Sequence, residues 1–154
     1  KRSLLRKLVT AVKGDQEAMA ACVMCLRDKD GAVRKTAVEV LGELIPMRDA
    51  GTFEGREGII YALGSTCLDW NVQARAQAVQ LLKAINSKAE GDAARAVMLH
   101  ARQASFTLPI YARLAAVDAL VCVASQGDAD VLAYLFEELE AMEPQVREAC
   151  VRAV

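Results

Sequence analysis

Aromatic side chains are scarce in this sequence, where they make up 5% of 154 residues, and it contains only three prolines. Because hydrophobic residues nevertheless reach 54%, the core must be built from small and aliphatic side chains. Alternating runs of β-branched residues are also lacking, so the sequence predicts no sheet. Small side chains let helices approach each other closely, and the composition therefore favours an all-α protein.

Neither sign of charge dominates, since 19 basic residues are balanced by 20 acidic ones and the signs are interspersed. A nucleic-acid surface gains its affinity from clustered Lys and Arg, so this balance argues against one. No uncharged apolar run reaches the roughly 18 residues of a membrane span. The chain opens without a signal-peptide pattern. Because its first residue is Lys1 and not Met, a removed targeting segment stays open as an alternative.

Residue patterns for catalysis are also missing. His100 is the only histidine, and no Ser, Cys or Asp is arranged beside it as in a catalytic group. The carboxylates of Glu137, Glu138 and Glu140 are predicted to form a solvated helix face. We therefore predict no catalytic residue and no cofactor.

The five cysteines are predicted to pack in the core. Cys22 and Cys25 have the spacing of a redox or zinc pair, but both fall in the middle of a predicted helix. The remaining thiols occupy core-like positions on other helices, and these are Cys67, Cys122 and Cys150. We therefore predict no metal site, and the thiols favour a reducing, intracellular compartment.

One motif, R-x-x-[AC]-V-x-x-[LV], occurs four times along the chain. Its copies begin at Arg34, Arg75, Arg113 and Arg147. The arginines are separated by 41 residues (34 to 75), 38 (75 to 113) and 34 (113 to 147). A period in this range is typical of arrays of helix pairs, in which each pair buries its apolar face against its neighbours.

The first copy resembles the second helix of a HEAT repeat, because Asp28 lies six residues before Arg34 and Ala37-Val38 follow the arginine. The resemblance implies a right-handed α-α superhelix, or solenoid, of about four HEAT-like helical pairs. In that family an aspartate and an arginine form a ladder between successive pairs. The resemblance assigns this structural role to Asp28, Arg34, Asp69, Arg75, Arg113 and Arg147.

The ladder is predicted to be interrupted in the second half of the chain. Thr107 and Ala141 stand where the third and fourth copies of the repeat need the aspartate. Thr107 retains a side-chain oxygen that can cap a helix, whereas Ala141 has no such group.

The whole chain, 1–154, is predicted to be a single array that is incomplete at both ends. Helices are predicted over 2–13, 16–27, 31–45, 57–68, 71–86, 92–105, 108–125, 129–142 and 144–154. They form the second helix of a partial pair (1–13), three pairs (15–45, 57–86 and 92–125) and a truncated fourth pair (128–154). Arrays normally cover their last apolar face with a polar cap. Neither end has one, so we expect a piece of a longer protein or ends covered by partners.

The resemblance also implies a function. In HEAT proteins the second helices line a concave surface that commonly receives a protein partner. Trp70, near a turn within a pair, is a candidate aromatic anchor. The other predicted partner-binding residues are solvent-facing positions on second helices, namely Lys35, Glu39, Gln77, Gln80 and Asp118. The prediction is a non-catalytic scaffold or adaptor in a larger assembly.

Two other functions remain open at this point. Some HEAT-like proteins bind DNA, which would require a basic groove with aromatic side chains facing the backbone. Short HEAT-like units also occur in phycobilin chromophore lyases, although the units here are longer and no cysteine or histidine is an obvious pigment contact. Salt-dependent DNA binding would support the first alternative, and a coloured preparation would support the second.

Overall fold

The structure is a computed structural model of the chain, and it describes residues 1–8, 15–45, 55–86, 91–103 and 107–154. Every regular element in these segments is an α-helix, so the all-α prediction is confirmed. The helices are α1 (Arg2–Lys7), α2 (Gln16–Cys25), α3 (Gly31–Leu44), α4 (Arg56–Thr66), α5 (Val72–Asn86), α6 (Asp92–Gln103), α7 (Ile110–Val123), α8 (Ala129–Glu138) and α9 (Pro144–Ala153). None of these helices has the length and apolarity that crossing a membrane requires.

Short polar side chains start several of the helices. Asp15, Asp30 and Asp128 each accept a hydrogen bond from a backbone N–H in the first turn of the following helix. Asn71 does the same for α5, where its Oδ1 accepts from the N–H groups of Gln73 and Ala74 at 3.0 and 3.1 Å. These bonds satisfy donors that have no partner within the helix.

Two series of contacts organise the helices. In the first, α1, α3, α5, α7 and α9 contact one another in succession. In the second, α4 contacts α6 and α6 contacts α8. The helices of each pair also contact each other, α2 with α3, α4 with α5, α6 with α7 and α8 with α9. Packing therefore proceeds from one pair to the next along the sequence.

The repeated motif accounts for much of the buried core. Its [AC] position is Ala37, Ala78, Ala116 and Cys150 in the four copies, and all four side chains are 0% exposed. Burial of a small side chain at the same place in each copy brings successive helices close together. The four arginines therefore mark equivalent positions in four helices of the first contact series.

Helices α4 and α6 approach each other closely at Gly64. A Cβ at this residue would lie 2.8 Å from both the carbonyl carbon and the Cβ of Ala96. Since real Cβ atoms do not make such short contacts, glycine is required at this crossing.

The observed helices are shorter than predicted at several ends. The predicted helix 129–142 ends at Glu138, because the N–H groups of Glu140 and Ala141 donate to carbonyl oxygens only three residues earlier. These tighter bonds end the regular helix and form the turn that precedes α9. Residues 9–13 of the first predicted helix lie outside the described segments.

Candidate functional site

Three of the four motif arginines donate a hydrogen bond to the turn that precedes their helix. Nη1 of Arg34 donates to the carbonyl oxygen of Asp28, six residues earlier, at 2.6 Å. Arg75 donates in the same way to Asp69, and Arg147 to Ala141, each at 2.6 Å. This bond involves a backbone oxygen, so it does not depend on an aspartate at that position.

Arg34 also forms an ion pair with the next repeat. Its Nε and Nη2 donate to the two carboxylate oxygens of Asp69, with 2.7 Å between Nη2 and Oδ1. The side chains are only 9% and 6% exposed, so the pair lies in the joint between α3 and α5. The hydrogen bonds that Arg34 donates to Asp69 raise the pKa of Arg34, although burial acts in the opposite direction.

Asp28 has a different cationic partner, because Nζ of Lys1 donates to its Oδ2 at 2.6 Å. The hydrogen bond from Lys1 and a second one from the backbone N–H of Asp30 lower the pKa of Asp28. The two predicted aspartates of the ladder thus each accept from a cation earlier in the chain.

Arg113 pairs with two glutamates that the sequence analysis did not assign to it. Its Nη2 lies 2.7 Å from Glu138 and its Nη1 lies 2.5 Å from Glu143. Burial alone would lower the pKa of Arg113, but the hydrogen bond and charge of Glu138 raise it. The prediction that Glu138 belongs to a solvated face was wrong, because this residue is buried against the arginine.

Arg75 has no carboxylate partner within the described part of the chain. Its guanidinium lies over the ring of Tyr111, with 6.0 Å between Cζ and the ring centroid. Arg34 has the equivalent contact with Trp70 at 5.4 Å, but it pairs with Asp69 as well. Among the described residues, the joint between α5 and α7 therefore lacks an ion pair like the one between α3 and α5.

An open groove of about 510 Å³ runs between α5 and α7. Its apolar lining includes Val72, Ala76, Val79, Leu114, Ala115 and Ala119. Its polar residues are Arg75, Gln80 and Asp118, of which the last two were predicted to contact a partner. Tyr111 also lines the groove and is 44% exposed. The groove thus combines apolar surface with charged groups of both signs.

Three other predicted contact residues interact with one another between α3 and α5. Nε2 of Gln77 donates to Oε1 of Glu39 at 2.9 Å, and Nζ of Lys35 lies 3.6 Å from the same oxygen. All three side chains are half-buried. The structure therefore separates them from Gln80 and Asp118, which line the groove.

Trp70, the predicted anchor, lies in the turn between α4 and α5 and is 62% exposed. One edge of its ring packs on Gly31, where an added Cβ would be 3.1 Å from Cζ2. The rest of the indole is accessible, and Arg34 lies over the ring. Trp70 thus contributes to the joint between repeats and also exposes aromatic surface.

Three of the cysteines (Cys22, Cys67 and Cys150) are buried, Cys25 is partly buried and Cys122 is exposed. Cys22 and Cys67 are buried, and desolvation raises the pKa of Cys22 to about 11 and that of Cys67 to about 12. The prediction of a core position for Cys122 was wrong, because this residue is exposed on the wall of the groove. No group of three or more His, Cys, Asp or Glu side chains in the described segments could hold a metal ion.

His100 is half-buried beside Tyr61. Its Nε2 lies 2.9 Å from the carbonyl oxygen of Tyr61, and the two ring centroids are 4.4 Å apart. Burial lowers the pKa of His100, while the hydrogen bond to Tyr61 opposes the shift and the charge of Arg27 adds to it.

In comparisons with known proteins, no family model matches the sequence and no curated protein matches it.

Proposed function

We propose that this chain is a HEAT-like array that serves as a non-catalytic, protein-binding scaffold or adaptor segment of a larger assembly. The four copies of the motif and the complete burial of its [AC] position support a repeated packing unit. The successive contacts among α1, α3, α5, α7 and α9 support a stacked arrangement of these units. A right-handed superhelix is the overall shape expected of such a stack.

The proposal that the chain binds proteins rests mainly on the groove between α5 and α7. It exposes apolar side chains from two successive repeats, including Val72 at 66% and Tyr111 at 44%. Exposed apolar surface beside polar groups such as Gln80 and Asp118 is typical of a protein-interaction site. The free cysteines of the described segments fit the reducing compartment expected from the sequence.

A substitution inside the groove tests the proposal. Ala76 is exposed and lines the groove, so Ala76→Arg would fill the cleft without disturbing the core. Ala133→Arg, at an exposed position of α8 that is not among the residues lining the groove, is the matched control. Quantitative mass spectrometry of proteins captured from the native cells would compare both variants with the wild type and with Trp70→Ala.

Partners that bind the wild type and the Ala133→Arg variant but are lost with Ala76→Arg would support a groove that binds proteins. Partners that bind all variants equally would contradict the groove, and specific capture of no protein would contradict the adaptor function. DNA binding that weakens as salt is raised would instead favour the nucleic-acid alternative.

A further inference from the structure

Among the described residues, carboxylates pair with two of the four motif arginines, Arg34 and Arg113, and with neither Arg75 nor Arg147. Arg147 donates instead to the backbone oxygens of Ala141 and Met142. Arg34 pairs with Asp69, which lies three residues before the start of α5. Arg113 pairs with Glu138 and Glu143 on either side of the turn before α9. For Arg75 the corresponding position, three residues before α7, is occupied by Thr107. Among the described residues, no carboxylate replaces the missing one.

The guanidinium of Arg75 is held in place, but no carboxylate of the described residues pairs with it. Nη1 is fixed by the carbonyl oxygen of Asp69 at 2.6 Å, and the group lies over the ring of Tyr111. A guanidinium has five N–H donors in a rigid, planar arrangement, so donors remain beyond the one fixed here. Arg75 and Tyr111 both line the groove between α5 and α7. A fixed positive charge therefore borders an apolar cleft.

We propose that this groove binds a segment of a partner protein in which an acidic side chain lies close to an apolar one. The carboxylate of the segment pairs with Arg75, and the neighbouring apolar side chain enters the cleft between Val79 and Ala115. This inference rests on the proposed function and specifies the chemistry of the partner. Charge complementarity supports it, because Arg34 and Arg113 already have in this chain the ion pair that Arg75 lacks.

Asp118 sets the direction of the bound segment. It lines the same groove but lies seven residues beyond Tyr111 on α7, which is about 10 Å along the helix axis. An acidic side chain near Asp118 would be repelled, whereas one near Tyr111 would be attracted by Arg75. The acidic residue of the segment therefore lies at the Arg75 end of the groove.

Selection from a displayed library of random peptides tests the proposal. We expect peptides selected on the whole chain to be enriched in Asp or Glu within a few residues of Leu, Ile, Phe or Met. A selected peptide should bind the Arg75→Gln variant about tenfold more weakly, since a charge-assisted hydrogen bond is lost. Arg95→Gln removes an exposed arginine of α6 that does not line this groove, and it should leave binding unchanged.

Weaker peptide binding by the Arg75→Gln variant could also come from a folding defect. A second variant that keeps Arg75 distinguishes the two causes. Thr107→Asp introduces a carboxylate at the position equivalent to Asp69. It should pair with Arg75 as Asp69 pairs with Arg34 and therefore compete with the peptide. We expect this variant to be at least as stable as the wild type in thermal unfolding, and to lose the preference for acidic peptides.

The outcomes distinguish this inference from the proposed function. Peptides that are blocked by Ala76→Arg but show no acidic preference, and that bind the Arg75→Gln variant normally, would overturn the inference and leave the proposed function intact. Selection of no peptide that depends on the groove would overturn both. Acidic peptides whose affinity falls in both Arg75→Gln and Thr107→Asp would support both.

Discussion

Arg34 and Asp69 join two successive repeats through a two-pronged ion pair, in which Nε and Nη2 donate to separate carboxylate oxygens. Oδ1 of Asp69 also accepts from the backbone N–H of Asn71 at 2.7 Å, and its carbonyl oxygen accepts from Arg75. One aspartate thus connects two motif arginines and the start of α5. Its loss should affect the joint more than the loss of an exposed ion pair would.

Replacing Asp69 with alanine should destabilise the protein strongly. The guanidinium of Arg34 would stay buried without a counter-charge, which typically costs about 3 to 5 kcal/mol. Urea unfolding followed by circular dichroism would measure the change. The double variant Arg34→Met/Asp69→Leu, which removes both charges, should recover part of the lost stability.

A matched control for this effect is the ion pair between Glu148 and Arg152, which is short, at 2.5 Å, but 69% and 67% exposed. Glu148→Ala should cost less than about 0.5 kcal/mol, because water screens the charges. If Asp69→Ala and Glu148→Ala lowered the free energy of unfolding equally, burial would not be the reason that the Arg34–Asp69 pair stabilises the fold.

Replacing Gly64 with alanine should also destabilise the protein. The new Cβ would collide with Ala96 of α6, and overpacking of this kind costs about 1 to 3 kcal/mol. Gly58 lies in the same helix and has nothing within 4 Å of an added Cβ, so Gly58→Ala should stabilise by up to about 1 kcal/mol. Opposite shifts of the melting temperature would confirm the close approach of α4 and α6, and a stable Gly64→Ala variant would argue against it.

The exposed thiol of Cys122 should react first with iodoacetamide. Burial raises the pKa of Cys22 to about 11 and that of Cys67 to about 12, so both remain protonated and inaccessible in the native state at about pH 8. Peptide mass mapping over time would identify the labelled residue, and Cys122→Ser should remove the fastest reaction. Faster labelling of Cys67 than of Cys122 would contradict the exposed position of Cys122 on the wall of the groove.

The labelling rate of Cys122 also shows whether a peptide occupies the groove. A peptide bound between α5 and α7 should slow the labelling of Cys122 without changing that of Cys25, which does not line the groove. Slowing of both thiols to the same extent would indicate a general stabilisation of the fold.

Acidification should weaken the fold partly through His100. Because burial lowers the pKa of His100, the folded state binds fewer protons than the unfolded state as the pH falls through about 6.5. Stability contributed by the neutral ring is therefore present above that pH and is lost below it. Urea midpoints at about pH 7.5 and about pH 5.5 should differ less for His100→Gln than for the wild type. Equal pH dependence in the two proteins would exclude this role for His100.

The repeated motif allowed the motif arginines and the helix class to be predicted, because periodic spacing follows directly from helix geometry. The partners of Arg113 could not be predicted in this way. Glu138 and Glu143 lie three residues before and two after Ala141, so they are out of register with the earlier aspartates. A longer carboxylate side chain can reach the same guanidinium from several backbone positions, and sequence spacing does not reveal which of them it uses.

The groove could not be predicted from the sequence, but for a different reason. Helix α7 is apolar around most of its circumference, so periodicity does not distinguish its buried face from the face that lines the cleft. Cys122 was assigned to the core for this reason. The cleft itself exists because Ala76, Ala115 and Ala119 are too small to fill the space between α5 and α7.

The missing carboxylate at Arg75 also has a mechanical consequence. The contact between α3 and α5 includes a buried ion pair, whereas no ion pair joins α5 to α7 among the described residues. There Arg75 lies over Tyr111, and Asn86 donates to the carbonyl oxygen of Val123 at 3.3 Å. When the chain is bent, the contact between α5 and α7 should deform before the contact between α3 and α5, so deformation should concentrate beside the groove. An acidic partner bound there would stiffen the joint, and the rigidity of this part of the chain would then depend on whether the groove is occupied.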